Sequence, residues 1–329
     1  MHCVLAIVGD DAALPSYVPL AGTHDNLNTP LLEPMPYLLL TLAALFWSGN
    51  FVISRGMHVD IPPLGLSFWR WLVALLILML FAFQHLIRQR QLVRRHLRFI
   101  VIQGLLGVAG FNTLIYLAMQ TTTAINAVLV NSCIPVLIAV CSWIMFREVL
   151  TVRQGCGVLL SLCGVVSIIA KGRWEFLLSV TFNPGDLLVL AAALLWALYS
   201  TNLKNYPRDL HPFAYQSGIV ASGLIVIFPC YLIELSLGRT MNMGLPTLLS
   251  IGYVALFASI LAFIFWNRAV RTVGPNKSGP FIHLMPVFST ILAVLFLGET
   301  IEMYHLLGIA LIFSGIMMTT FRVRPSSRL

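Results

Sequence analysis

Eight stretches of this 329-residue chain contain no Asp, Glu, Lys or Arg: Pro34–Ser54, Phe99–Phe146, Gln154–Ala170, Leu187–Leu203, Leu210–Ile233, Thr240–Asn267, Ser278–Gly298 and Met303–Phe321. Leu64–Leu86 would be another, interrupted only by Arg70. A helix crossing the roughly 30 Å hydrocarbon core of a bilayer needs about 20 mostly apolar residues, and runs of this length and character are what such helices require. The 48 residues from Phe99 to Phe146 are too many for one crossing. At about 1.5 Å per residue they would reach about 72 Å. The polar patch Gln120-Thr121-Thr122-Thr123 divides them in two. The chain thus predicts ten spans, near 37–55, 64–87, 99–119, 124–146, 154–170, 186–203, 212–236, 246–267, 277–297 and 303–321. Hydrophobic residues make up 59% and charged residues 10%. A soluble domain is about half apolar and about a quarter charged, so there is too little polar surface here for a water-facing globule. Soluble enzymes, disordered proteins and nucleic-acid modules are excluded, and the reading is an all-α polytopic membrane protein.

The formal net charge of +8 has a topological explanation. With ten spans, loops alternate between the two faces, and Lys and Arg concentrate on the cytoplasmic side. Fifteen of the twenty Lys and Arg fall on the face of the N-terminus and four on the other, with Arg70 inside span two. The expected placement is the plasma (bacterial inner) membrane, multi-pass, with both termini cytoplasmic. No nucleic-acid partner is implied. Residues 1–35 carry Asp10, Asp11, Asp25 and Glu33 but no Lys or Arg, so they lack the basic start of a signal peptide. They are expected to form a disordered tail, with natural translation beginning at Met35. Residues 323–329 are expected to be a basic tail.

Set against itself at an offset near 150, the chain repeats. Trp47 pairs with Trp196 and Pro63 with Pro212 at 149; Pro135 with Pro286, Glu148 with Glu299, Gly157 with Gly308 and Gly164 with Gly315 at 151. Two repeats follow, 36–175 and 183–322, of five spans each. Because five is odd, the second copy enters the membrane from the opposite face. Such inverted repeats, related by a two-fold axis in the membrane plane, recur among secondary transporters, with their binding sites at mid-bilayer depth.

The residues in register also resemble the EamA-like branch of the drug/metabolite transporter superfamily. In the first half the resemblance rests on Trp47-Ser-Gly-Asn50, Phe68-Trp-Arg70 and Pro135, Glu148, Gly157, Gly164. In the second it rests on Trp266-Asn-Arg-Ala, Gly274, Leu284-Met-Pro286, Leu297-Gly-Glu299, Gly308 and Gly315. It covers residues 37–321. It implies a ten-helix, basket-like carrier that moves small organic metabolites, often outward, without ATP. Arg147-Glu148 stands where Gly-Glu would be typical, and Asn126 where small residues are usual.

Several side chains are candidates for a central cavity. Arg70 lies about six residues, or about 9 Å, inside span two. An Arg at the centre of a membrane helix is costly by at least ~2.5 kcal/mol. It should therefore either attract an anionic group or snorkel outward along its own stem; Asp60 is a candidate partner. Trp47 and Trp196 sit too deep for the interfacial belt and are expected to wall the cavity with Tyr199 and Trp266, while Tyr116 and Trp266 also suit a belt position. Asn50 lies one turn beyond Trp47. Pro135 and Pro286 are expected as helix kinks, since each removes a backbone hydrogen bond. Beside them stand Asn131, Ser132 and His283. These are interhelical hydrogen-bonding groups or, for His283, a candidate coupling-proton site, because its charge switches near neutral pH. Glu148 and Glu299 are expected as structural residues at helix ends, facing the N-terminus of the following span.

The six Cys include no C-x-x-C and no Cys–His ligand spacing, so neither a disulfide framework nor a metal site is indicated. No cofactor motif is visible, and no Walker A sequence. The reading is a non-enzymatic secondary transporter, an exporter of small organic metabolites such as amino acids or related compounds, working by alternating access. Its partners are a small-molecule substrate, the lipid bilayer and a candidate coupling proton. An intramembrane enzyme or a passive channel for small solutes are the alternatives. The sequence does not define an oligomeric state.

Overall fold

A computed structural model of the chain describes residues 34–57, 62–173, 175, 181, 183–242, 244–297 and 300–321. Residues 1–33 of the expected 1–35 tail, Asp60, Glu299 and the basic C-terminal residues lie outside the described residues; Pro34 and Met35, expected in the tail, begin the first helix. All regular structure among the described residues is helical. A first helix, α1 (Pro34–Met57), is followed, among the described residues, by nine helices long and apolar enough to cross a membrane. These are α2 (Pro63–Arg88), α3 (Leu97–Ala118), α4 (Asn126–Phe146), α5 (Val152–Ile169), α6 (Pro184–Asn205), α7 (Pro212–Ser236), α8 (Leu245–Val273), α9 (Pro275–Phe296) and α10 (Met303–Thr320). The nine match spans two to ten of the sequence reading. A short basic helix, Arg90–Arg95, links α2 to α3.

Helix ends follow local chemistry. Pro63, Pro184 and Pro212 occupy first-turn positions of α2, α6 and α7, where a missing N–H has no intrahelical partner to lose. Asn183 caps α6 by accepting from the Gly185 amide at 2.9 Å, and the Asp186 carboxylate accepts from the Asn183 amide at 2.9 Å. Thr151 and Gln154 form the equivalent box on α5. For α2 the cap comes from another helix. The Glu234 carboxylate, near the end of α7, accepts from the amides of Leu64 and Gly65 at 3.2 and 2.6 Å.

The helix contacts reproduce the duplication. α5 packs on α10, α2 on α7 and α4 on α9; α7 packs on α3 as α2 packs on α8. Exchanging helices one to five with six to ten leaves this pattern unchanged, as a pair of five-helix repeats related by a two-fold axis requires. At the α5–α10 seam backbone meets backbone. A Cβ placed on Gly157 would lie 2.6 Å from the carbonyl oxygen of Gly315, and one on Gly164 would lie 2.6 Å from that of Gly308. Glycine is required at both positions because each backbone occupies the volume the other's side chain would need.

Two features interrupt the regular helices at repeat-equivalent positions. Gly104–Gly110 in α3 and Val254–Leu261 in α8 are π-helical, their starts 150 residues apart; such wide turns often mark functional positions. In addition, α4 breaks at Ser132-Cys133 and restarts at Ile134, while α9 runs as a tight 3-10 turn over Gly279–His283 before resuming at Leu284. Pro135 and Pro286 therefore sit in the first turn of a restarted helix. The expected kinks are realised as breaks just before each proline.

Candidate substrate site

The side chains expected to wall a cavity come from α1, α6 and α8 and pack ring against ring. Trp47 meets Trp196 edge to face at 5.2 Å and Trp266 at 5.5 Å; Trp196 and Trp266 are 5.9 Å apart. Phe263, absent from the sequence reading, joins all of these elements. Its ring is 6.0 Å from Trp47, 5.5 Å from Trp196, 6.0 Å from Tyr199 and 5.2 Å from Trp71. The polar tips are held by protein. Trp47 Nε1 donates to the Ala258 carbonyl at 3.0 Å, Trp266 Nε1 to Ser200 Oγ at 3.1 Å, and Tyr199 OH to Asn267 Oδ1 at 2.7 Å. Trp266 is 1% exposed, which places it in this cluster and not in an interfacial belt.

Arg70 borders the same cluster. It is 3% exposed, so it does not snorkel to the surface. Its Nε donates to Ser259 Oγ at 2.9 Å, and its Nη1 reaches Asn112 Oδ1 and Tyr116 OH at 3.4 Å each. The guanidinium carbon lies 4.9 Å over the ring of Trp71, an attractive cation–π arrangement. Among the described residues no carboxylate pairs with Arg70; the ion pair found there is Lys204–Glu148.

Arg70 ties the two π-helical turns together. Ser259 belongs to the turn in α8. Asn112, two residues past the turn in α3, donates its amide to the carbonyls of Gly107 and Val108 at 3.3 and 2.9 Å. The α8 turn offers its own carbonyls in the same way, Ala258 to Trp47 and Ser259 to Gln216 Nε2 at 3.3 Å. Gln216 accepts from Asn267 Nδ2 at 3.3 Å, so a polar chain runs from Arg70 through Ser259, Gln216 and Asn267 to Tyr199. Asn112, Ser259, Gln216 and Asn267 were not singled out from sequence. A signal was present for Asn112 and Gln216, each an amide within a long charge-free run.

The remaining candidates fall outside this centre. His283, 1% exposed, bridges Ser161 Oγ at 2.7 Å through Nδ1 and the Ser132 carbonyl at 2.9 Å through Nε2. His283 and Ser132 are repeat equivalents, so this contact sits where the two halves mirror one another. Asn50 Oδ1 and Asn131 Oδ1 are buried without a hydrogen-bond partner. Glu148 does stand at a helix end, but its carboxylate turns to Lys204 and to Ser142 Oγ, the latter at 3.2 Å. The α5 N-terminus that it was expected to face is capped by Thr151. Glu299 lies outside the described residues. A second carboxylate, Asp186, is buried at the start of α6, where it accepts from Thr122 Oγ1 and from Asn126 Nδ2, the latter at 3.1 Å. Asn126, unusual at its position, thereby joins α4 to α6.

A polytopic helical bundle of two inverted repeats, with a buried cation and an aromatic cluster where they meet, has the architecture of a membrane carrier. The comparisons with known proteins agree. The sequence matches the EamA-like transporter family over residues 34–170 and 183–321, and the chain belongs to that family. It is 26% identical over 294 residues to the uncharacterized transporter YyaM of Bacillus subtilis, covering 88% of this chain and 94% of that one. A probable amino-acid metabolite efflux pump of Salmonella typhimurium is 30% identical over 193 residues, 56% of this chain and 64% of the pump. An S-adenosylmethionine/S-adenosylhomocysteine transporter of Chlamydia muridarum is 24% identical over 277 residues, 82% of this chain and 86% of that one. A solved crystal structure superposes with a TM-score of 0.71 at 20% identity, covering 87% of this chain and 96% of that one, a likeness of fold.

Proposed function

We propose that the protein is a secondary transporter that exports small organic metabolites, a class such as amino acids or related compounds, by alternating access around the centre of the bundle. The observation that carries this is Arg70. It is a guanidinium buried among aromatic rings at the junction of the repeats, with no carboxylate partner among the described residues. A charge in that setting is costly unless it serves a pathway or a ligand, and the acidic group of a substrate would complete its coordination. The names of two relatives, an amino-acid metabolite efflux pump and an S-adenosylmethionine/S-adenosylhomocysteine transporter, point to the same size and class of solute.

Motion would use the π-helical turns. A π turn can pass to an α turn by moving its extra residue along the helix, and α3 and α8 each carry one at the level of Arg70. The α5–α10 seam, where backbone meets backbone, suits a fixed axis. Orientation follows from charge. The face holding fifteen of the Lys and Arg would be cytoplasmic in the inner membrane. His283 is the proposed site of a coupling proton, and its geometry sets a condition: Nε2 donates to the Ser132 carbonyl, so a proton must enter at Nδ1, where the Ser161 hydroxyl turns to accept and gives its own hydrogen to the Val158 carbonyl.

The deciding experiment is transport by the purified chain in proteoliposomes, with candidates taken from metabolite profiles of cells with and without the protein. A carrier shows saturation and counterflow. Flux that neither saturates nor exchanges would contradict it in favour of a channel, and a chemically altered solute would contradict it in favour of an enzyme.

A further inference from the structure

We infer that the preferred substrate is a planar organic anion without an ammonium group, an aromatic carboxylate or sulfonate, in place of a zwitterionic amino acid. The inference rests on the carrier reading and on the inventory of charges and hydrogen-bonding tips around Arg70.

Among the described residues the hydrogen-bond partners of Arg70 are Ser259, Asn112 and Tyr116, all neutral. A ligand carboxylate or sulfonate would add the missing negative charge, with charge-assisted hydrogen bonds that are the strong kind for a guanidinium. Among the described residues an ammonium on the same ligand finds no free carboxylate, and the Trp faces offer it only cation–π attraction, weaker than a charge-assisted hydrogen bond. The two deeply buried described carboxylates are both engaged. Glu234 holds the Leu64 and Gly65 amides, and with Gly65 five residues before Arg70 it is displaced by about 7.5 Å along α2. Asp186 holds Thr122, Asn126 and the Asn183 amide. In an amino acid docked through its carboxylate, the ammonium would also lie about 5 Å from the guanidinium, where like charges repel strongly away from water.

The body of the ligand is constrained by the rings. Trp47, Trp266 and Tyr199 spend their N–H and O–H groups on Ala258, Ser200 and Asn267. What they offer a ligand is apolar faces and edges. Arg70 and Trp47 contact adjacent residues of the α8 turn, Ser259 and Ala258, so the charge and the rings lie at one level of the bundle. A flat apolar body ending in a single anion satisfies both.

The test uses three probes with the same ring: 2-phenylethanesulfonate (anion), phenylalanine (zwitterion) and 2-phenylethylamine (cation). Binding to the full chain in nanodiscs is read from tryptophan fluorescence, and counterflow from proteoliposomes. The sulfonate is ionised throughout, so it does not leak across the bilayer as a neutral acid. The expected result is sulfonate binding at least about tenfold tighter than phenylalanine. Arg70→Gln is expected to erase that preference. Arg70→Lys, which keeps the charge but not the planar fork, is expected to keep the ranking with weaker binding, and it serves where Arg70→Gln does not fold. Phenylalanine binding as tightly as the sulfonate, no binding of any probe, or an Arg70→Gln protein with the ranking intact would overturn the inference. Saturable counterflow that favours phenylalanine would overturn it while the carrier reading stands. Tight sulfonate binding with no counterflow would support it and contradict the carrier reading.

Discussion

The contact between α5 and α10 gives a quantitative prediction with an internal control. In Gly164→Ala the new Cβ would stand 2.6 Å from the Gly308 carbonyl oxygen, 2.8 Å from Ile312 Cγ1 and 2.9 Å from the Ile312 amide nitrogen. A relaxed carbon–oxygen contact is about 3.3–3.6 Å, so α10 must retreat by roughly 0.7–1 Å. Overpacking of this kind costs about 1–3 kcal/mol. Gly155 lies nine residues earlier on the same helix, and a Cβ there would meet nothing within 4 Å. Gly155→Ala keeps only the gain in helix propensity, about 1 kcal/mol. That gain is common to both variants and cancels in their difference, leaving a gap of about 1–3 kcal/mol from the packing alone. Unfolding in mixed micelles titrated with dodecyl sulfate, followed by circular dichroism, measures it. Equal shifts for the two variants would refute the claim that backbone contact between α5 and α10 sets the seam.

Asn112→Leu removes an acceptor from Arg70 and two bonds to π-turn carbonyls. At an average of about 0.6 kcal/mol each, the loss should approach 2 kcal/mol, with faster amide exchange over 104–110; unchanged exchange would show that packing alone holds the turn. His283→Gln should flatten the dependence of transport on pH between about 5.5 and 7.5, and an unaltered profile would leave His283 with a packing role only. Glu148→Gln breaks the half-exposed pair with Lys204 and should change stability by less than about 1 kcal/mol; a larger loss in the same unfolding assay would mean that the pair is more than a surface contact.

The spans were legible because a bilayer imposes a simple rule. Charges are kept out for about 20 residues at a time, and gaps in the charge pattern located α2 to α10 to within a few residues at most ends; α8 extends to Val273, past Arg268 and Arg271. The duplication was legible from side chains whose roles are set by packing: Gly157, Gly164, Gly308 and Gly315 recur because backbones touch there. The π-helical turns were not. Gly104–Gly110 reads as ordinary apolar helix, since adding one residue to a turn leaves composition untouched. Partners were less visible still. Asp60, the candidate partner named from sequence, lies outside the described residues; the contacts described for Arg70 come from Asn112, Tyr116 and Ser259, 42, 46 and 189 residues away, a distance along the chain that no local pattern reveals. Glu148 illustrates the same limit. Helix-dipole reasoning pointed to the next helix, but Lys204, 56 residues on, is the group it meets.

The account stands on the two repeats crossing the membrane in opposite senses. Val149 and Thr300 are repeat equivalents at the usual offset of 151, in the links from α4 to α5 and from α9 to α10, and both are exposed. Single cysteines at these positions in a background free of the six native ones can be labelled with a membrane-impermeant maleimide in sealed vesicles of known orientation. Modification of one from the inside and the other from the outside is the result expected; modification of both from the same side would contradict the inverted architecture and the shared central site with it.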